Sequence, residues 1–394
     1  MTTESTAGTL AERMGVALVG CGVIGRTHVQ AIRAFDELEL VALVDPVVDA
    51  RREFADGIQR EGGARPTEYD RLDEALADPR VQLVVVGTPT GLHAEQGLAA
   101  LRAGRHVIIE KPLDVDMHRA REIVAEATAA AGRGVVGSVI SQHRFDDATR
   151  AVRAAIDDGR LGVVTSAIAT SPRWRTQAYY DSGDWRGTWA MDGGGALMNQ
   201  GVHTLDVLLA LLGRPVEISA RTALLAHERV EVEDTMVATI EFESGALAVM
   251  HASTAASPGL ASRVQVMGSA GSAIIDDDQL LYLHAEREPD GSPATDADGD
   301  QSERALAALG AGRHDDIASG GDARDVAAGH VRQYADVLRA IREGGRPGVR
   351  IDEAAIVLAT VRAVYLSATL GAPVRLEDVM NGRYDDTEVR TGRA

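Results

Sequence analysis

Cysteine, lysine, basic charge and long apolar runs are all scarce in this chain, and each scarcity excludes something. Cys21 is the only cysteine in 394 residues, so there is no internal disulfide and no thiolate cage for a metal. No apolar run approaches the ~18–20 residues that a bilayer-spanning helix needs. The N-terminal stretch lacks the basic start and apolar core of a secretion signal, and residues 1–14 read as a disordered tail. With 40 Lys and Arg against 59 Asp and Glu, the formal net charge is −19. Such a surface repels phosphate backbones and anionic lipid, which disfavours nucleic acid and membrane partners. A soluble cytoplasmic protein is the expectation. The 11 histidines show no HxxxH pair and no histidine–carboxylate spacing of metal-ligand type, so no metal site is expected. Neither a GxSxG elbow nor a P-loop is present.

The shortage of lysine is the most informative. Lys111 is the only lysine among the 40 basic residues. Most surface lysines can become arginine at little cost, so one that survives marks a place where arginine does not serve. An ammonium is compact and its pKa moves readily on burial, whereas a guanidinium is broad and stays charged. Chance retention on a solvated surface is the alternative.

What is present is an alternation of short apolar runs and helical stretches. Runs at 16–20, 38–44, 81–86, 106–109 and 135–140 read as buried parallel strands, and the segments after the first four read as helices, among them 92–103 and 117–131. That pattern predicts an α/β fold opening with a doubly wound parallel sheet over 15–142. From about 143 to 394 the texture changes. A helix at 147–158 precedes strand-like stretches near 163–170, 216–225, 235–242, 246–253, 262–268 and 272–276, which predict an open, mostly antiparallel sheet. Residues 285–325, rich in Asp, Gly, Ala and Ser, read as a flexible insertion. Helices at 326–343 and 352–370 close the chain, and no internal repeat is evident.

Gly20-Cys21-Gly22-Val23-Ile24-Gly25 sits between the first strand and a helix, with Asp45 twenty residues further on, at the end of the second strand. This is the dinucleotide-binding fingerprint: glycines for the turn, the pyrophosphate and helix–strand packing, and an acidic residue for the ribose 2′-hydroxyl. Asp45 favours NAD, while Arg51 and Arg52 keep NADP open. Thr88-Pro89-Thr90-Gly91-Leu92-His93 and Glu110-Lys111-Pro112 follow the third and fourth strands, on the edge where open parallel sheets bind ligands. Taken alone, the former is explained as a strand-to-helix loop. Pro112 could fix the lysine's direction through a cis bond. Further on, Gly193-Gly194-Gly195 leads into a segment carrying Asn199, His203 and Asp206 on neighbouring helical rows. The glycine triplet signals close backbone approach to something. A capped core helix is the alternative.

Together these motifs resemble the glucose–fructose oxidoreductase/inositol dehydrogenase (Gfo/Idh/MocA) family, from about residue 15 to about 375. The resemblance implies an NAD(P)-dependent oxidoreductase of sugars, nucleotide sugars or cyclitols, with a Rossmann domain and an α/β domain whose sheet forms a homodimer or homotetramer interface. It also implies that Lys111 and His203 flank the reacting hydroxyl. Thr88, Pro89 and His93, with Glu110 and Lys111, would line the cofactor pocket. The family often carries aspartate four residues before the histidine, whereas this chain has Asn199, which cannot accept a proton. Asn199-Gln200 and Glu233-Asp234-Thr235 look more like the branch that includes nucleotide-sugar dehydrogenases. The expected mechanism has Lys111 steadying the alkoxide, His203 as base oriented by Asp206, and Asn199 positioning the hydroxyl. Arg144, Arg173, Trp185 and Arg186 are expected substrate contacts, since arginine forks suit anions and tryptophan faces suit sugar rings. A non-catalytic NAD(H) sensor, or transient use of NAD for elimination or epimerisation, are the competing readings.

Overall fold

A computed structural model describes residues 13–183, 185–288, 290–294, 299–311 and 323–392. Most of the expected tail (1–12), and residues 289, 295–298 and 312–322 of the expected insertion, lie outside the described residues.

The first half is built from β1 (Met14–Val19), α1 (Val23–Arg33), β2 (Leu38–Val44), α2 (Val48–Arg60), β3 (Thr67–Tyr69), α3 (Leu72–Leu76), β4 (Val81–Val86), α4 (His93–Arg102), β5 (His106–Ile109), α5 (Met117–Ala131) and β6 (Gly137–Val139). All six strands are parallel, in the order β3-β2-β1-β4-β5-β6. The order reverses between β1 and β4, so their C-terminal ends open a crevice there. The β1 and β4 side chains from Val16 to Val19 and from Leu83 to Val86 are almost fully buried. That is why both read as continuous apolar runs: helices cover both faces.

The second half carries α6 (Asp147–Asp157), β7 (Val164–Pro172), α7 (Gln177–Tyr180), a π-helical turn at Ala196–Gly201, α8 (Val202–Leu212), β8 (Pro215–Ala223), β9 (Thr235–Phe242), β10 (Leu247–Ser253), β11 (Arg263–Gly268), β12 (Gly271–Asp276) and β13 (Gln279–Ala285). Then come α9 (Ser302–Ala308), α10 (Ala323–Glu343), α11 (Ile351–Leu370), β14 (Val374–Arg375) and α12 (Leu376–Met380). Eight strands form one sheet in the order β13-β12-β11-β7-β10-β9-β8-β14, antiparallel except for the β7–β10 pair. β9 shows how the sequence specifies a one-sided sheet. Met236, Ala238, Ile240 and Phe242 point inward and are buried, and the residues between them are exposed. The inner face is covered by α6, α8 and α11.

Besides short elements that the sequence did not mark, such as β3, α3 and β14, three larger features depart from the sequence reading. β13 was not expected; it is joined to β12 by a two-residue turn in which Asp277 and Asp278 both take positive φ. α9 occupies part of the stretch read as a flexible insertion, with Ser302 and Leu306 buried. Lastly, α10 and α11 turn back onto the first half, against α1 and α5 respectively. α11 alone among the described helices is long and apolar enough to cross a membrane, yet it is mostly buried in the core, where Tyr365 reaches Glu233.

Candidate active site

The glycine turn works position by position. Gly20 has φ +100°, and a Cβ there would lie 2.4 Å from the Gly87 carbonyl oxygen, so the tight turn against β4 admits only glycine. Gly25 packs α1 onto the sheet, with an added Cβ 2.7 Å from the Gly20 carbonyl. Gly22 faces open space, with nothing within 4 Å, and the first turn of α1 has no side-chain cap. Val23 beside it is 88% exposed. Free N–H groups over an open glycine are what a pyrophosphate needs. Asp45 is half-buried and accepts from the backbone N–H of Cys21 and Val47, which fixes its carboxylate against the glycine turn. Arg51 cannot answer a 2′-phosphate, because it is buried and paired with Glu68 and Asp70. These residues fit NAD.

Lys111 leaves the end of β5, and its bond to Pro112 is cis. Its Nζ lies 3.4 Å from the backbone oxygen of Asn199, in the π-helical turn. One turn on, His203 shares a small cavity wall with Lys111. Burial lowers the Lys111 pKa from its ordinary value, although Glu110 and Asp192 oppose this. Burial, then the positive charges of Lys111 and His143, hold His203 well below the ordinary histidine range. Asn199 turns its own amide back to the Gly194 carbonyl, at 3.1 Å. The structure thus joins the lysine, the histidine and the asparagine across 92 positions of sequence.

Several expected site residues do other work. Glu110 is buried away from the crevice: His330 Nε2 lies 3.1 Å and His28 Nε2 3.2 Å from its Oε1, and its carboxylate accepts from the Lys111 N–H. Both ring nitrogens of His93 are taken by the Thr88 and Pro112 carbonyls, so it ties two loops together and has none left for a cofactor. Asp206 and Arg144 form a bidentate pair, with Glu353 on the third guanidinium nitrogen. Asp206 is therefore not free to orient His203, nor Arg144 to hold a substrate. His203 instead meets His143 edge to face, with ring centroids 5.1 Å apart. Arg173 pairs with Asp277 at the rim, and Arg186 stacks on Trp185 and Tyr179 at 4.3 and 4.4 Å. Thr88 bonds Gln96, and Pro89 is exposed beside the crevice.

The glycine triplet approaches protein rather than ligand. A Cβ on Gly194 would lie 2.2 Å from the Tyr365 hydroxyl, and one on Gly195 only 1.7 Å from the Glu233 carbonyl. The buried Glu233 carboxylate accepts from the N–H groups of Gly195 and Leu197 and from Tyr365, and so shapes the turn that carries Asn199. Burial lifts its pKa to about 7 against those hydrogen bonds.

The residues that sequence reasoning missed come from neighbouring loops. Asp192 is buried next to Lys111, accepts from the Gly187 N–H at 2.6 Å, and has the Asn199 side chain as a further partner. It brings a carboxylate to the place where Asn199 offers none, and the only sequence signal was its position directly before the glycines. His143 contacts Asp146 and Asp278; burial opposes its charge, but those two carboxylates lift its pKa to about 10. Sequence spacing held no histidine–carboxylate cluster, yet among the described residues the fold assembles two, His28–Glu110–His330 and His143–Asp146–Asp278. Beyond His203, a second cleft of about 230 Å³ is lined by Gln200, Arg173 and Arg175 among others.

The match to known proteins covers both halves. A profile described as an oxidoreductase family with an NAD-binding Rossmann fold matches residues 14–138, and the Gfo/Idh/MocA C-terminal domain profile matches 149–274. An inositol 2-dehydrogenase of Rhizobium meliloti is 29% identical over 270 residues, 68% of this chain and 76% of its own length. A 1,5-anhydro-D-fructose reductase of Ensifer adhaerens is 34% identical over 241 residues, 59% of this chain and 67% of its own. Among solved structures, the WlbA dehydrogenase of Bordetella pertussis, in complex with NADH and UDP-GlcNAcA, aligns with a TM-score of 0.77 at 27% identity, over 93% of this chain and 99% of that one. Two profiles in tandem, together with a parallel sheet and a one-sided antiparallel sheet meeting at Lys111 and His203, make the chain a member of the Gfo/Idh/MocA family of NAD-binding oxidoreductases.

Proposed function

We propose that this protein is an NAD-dependent dehydrogenase that exchanges hydride with a ring secondary alcohol of a sugar, nucleotide sugar or cyclitol. The observation that carries this reading is the meeting of the only lysine with His203, on the edge where the glycine turn and Asp45 open. Names among the relatives, an inositol dehydrogenase and an anhydrofructose reductase, agree with it.

Oxidising an alcohol leaves negative charge on its oxygen and a proton to remove. Bound nicotinamide supplies the hydride acceptor, and this chain's residues supply the rest. Among the described residues the Lys111 ammonium makes one hydrogen bond, to the Asn199 backbone oxygen, which leaves N–H donors for the substrate oxygen. His203 is neutral at pH 7 and makes no hydrogen bond among the described residues, so a ring nitrogen is free to take the proton. Asn199 holds the ammonium through its backbone oxygen, and Asp192 balances the charge from behind. Assembly as a homodimer or homotetramer through the outer face of the eight-stranded sheet belongs to the same reading.

The test is NADH formation from NAD⁺ with a panel of cyclitols, sugars and nucleotide sugars. His203→Ala and Lys111→Arg are each expected to lower kcat by about 10²- to 10⁴-fold, the usual yield of a positioned acid–base group, with NADH affinity retained. Full turnover by Lys111→Arg, or a loss under about tenfold in His203→Ala, overturns the assignment. Tight NADH binding without turnover of any substrate would point to a sensor instead.

A further inference from the structure

The cleft beyond His203 holds an arginine that no carboxylate pairs with among the described residues, although Asp278, which is paired with His143, also lines the cleft. Three arginines line it. Arg173 is paired with Asp277 and Arg263 with Asp276, whereas Arg175 has no carboxylate partner among the described residues. Its Nη atoms donate to the Trp174 carbonyl at 3.1 Å and to Gln200 Oε1 at 2.7 Å, and its guanidinium lies 5.2 Å over the Tyr179 ring. Two of five N–H donors are used in this way; its Nε, enclosed, has no acceptor.

Its place is as telling as its state. Gln200, which grips Arg175, lies three residues before His203, and both line the same cleft of about 230 Å³. That volume falls below the ~300 Å³ of drug-sized pockets and suits a group attached to a single ring. A planar fork of N–H donors binds carboxylate and phosphate with directional, charge-assisted hydrogen bonds.

We propose that Arg175 anchors an anionic group, a carboxylate or a phosphate, carried by the same sugar whose hydroxyl meets Lys111 and His203. This rests on the dehydrogenase reading for the hydroxyl but not for the anion site itself. Gln200 sets the guanidinium's position, so the anion fixes the ring relative to His203 and selects which hydroxyl is presented. Neutral polyols would leave that charge unanswered.

Two measurements test this on the full-length protein. In the first, NADH formation is followed with gluco, galacto and manno sugars, each as the neutral hexose, the uronate, the 1-phosphate and the UDP-sugar. An acidic form is expected to exceed its neutral parent by at least about tenfold in kcat/KM. Arg175→Met should raise KM for that acid by about 10- to 100-fold with a much smaller change in kcat, and Arg175→Lys should restore part of it. The uronate and phosphate arms tell the two anions apart. In the second, protein saturated with NADH, so that the pyrophosphate turn is filled, is melted in inorganic phosphate against chloride of equal ionic strength. Phosphate is expected to raise the Tm of the wild type but not of Arg175→Met. A neutral sugar as best substrate, with KM indifferent to Arg175→Met and equal phosphate shifts in both proteins, overturns the proposal and leaves the dehydrogenase reading standing. An Arg175-dependent phosphate shift with no turnover of any sugar supports the anion site and sinks the dehydrogenase reading instead.

Discussion

Burial, followed by the charges of Lys111 and His143, keeps the His203 imidazole well below its ordinary pKa of 6.5. Activity that needs a neutral His203 then falls only when the pH drops below that depressed value, so the acid limb of kcat/KM lies well under 6.5. Lys111→Met removes the second cause and should move the His203 titration upward, toward 6.5. Histidine Cε1–H resonances followed against pH in the two full-length proteins measure this without needing turnover; an unchanged titration would mean that the ammonium does not sit beside the ring. The sign for stability follows from the same depression. Below pH 6.5 the unfolded chain accepts a proton that the folded site resists, so stability contributed by a neutral His203 is present above 6.5 and lost as the pH falls. At this scale the sequence was partly legible. Lys111 stood out because it is unique and His203 because of its motif, but Asp192, His143 and Arg175 gave no periodic signal. They reach the site through loops, and only the fold sets such distances. Glu110 and His93 misled for the converse reason: each sits inside a recognisable motif, while the partners that claim them, His330 and the Pro112 carbonyl, lie far along the chain or in the backbone.

One element, the turn from β1 into α1, divides its work between folding and binding. Alanine substitution separates the two. At Gly22, φ is −87° and nothing lies within 4 Å, so Gly22→Ala should fold with an unchanged Tm. Its methyl group would stand where a pyrophosphate must approach, and NADH affinity should fall by tenfold or more. At Gly20 the order reverses. Positive φ and the Gly87 carbonyl both reject a Cβ, so Gly20→Ala should lose at least about 2 kcal/mol of stability. Denaturant unfolding and NADH fluorescence titration of both variants check the contrast, and equal destabilisation by the two would refute it. Strongly patterned elements were the easy ones to read. β5 and α5 fall at the residues the sequence marked, because an apolar run bounded by polar turns and an alanine-rich amphipathic stretch each allow one solution. β3 is three residues of Thr-Glu-Tyr at the sheet edge, stabilised by pairing with β2 rather than by its own pattern. β13 was hidden because Asp276-Asp277-Asp278 looks like the end of a strand, when two of those aspartates form the hairpin turn.

At the scale of the whole molecule, the two sheets treat water differently. The parallel sheet is covered on both faces, whereas the eight-stranded sheet buries its inner face under α6, α8 and α11 and turns an apolar cluster outward. Ile168 on β7 and Val249 on β10 sit directly opposite each other in the parallel register and are 42% and 45% exposed; Val237 on β9 and Leu247 on β10, at 48% and 60%, extend the patch. Polar residues ordinarily fill the solvated face of a one-sided antiparallel sheet, and contiguous exposed aliphatic residues at its centre mark a surface that another surface covers. The net charge of −19 works against this, since two copies repel each other, so apolar contact must outweigh that repulsion for an assembly to form. Raised ionic strength screens the repulsion and leaves the hydrophobic term in place, so association should strengthen with salt. Light scattering after size exclusion is expected to give a mass at least twice 41.6 kDa for the wild type. Val249→Glu with Ile168→Glu, which set charges facing each other on two adjacent strands, should return the monomer mass while NADH still binds at the distant glycine turn. A wild-type protein that is monomeric at every salt concentration would remove the assembly from the proposal and leave the Lys111–His203 site untouched.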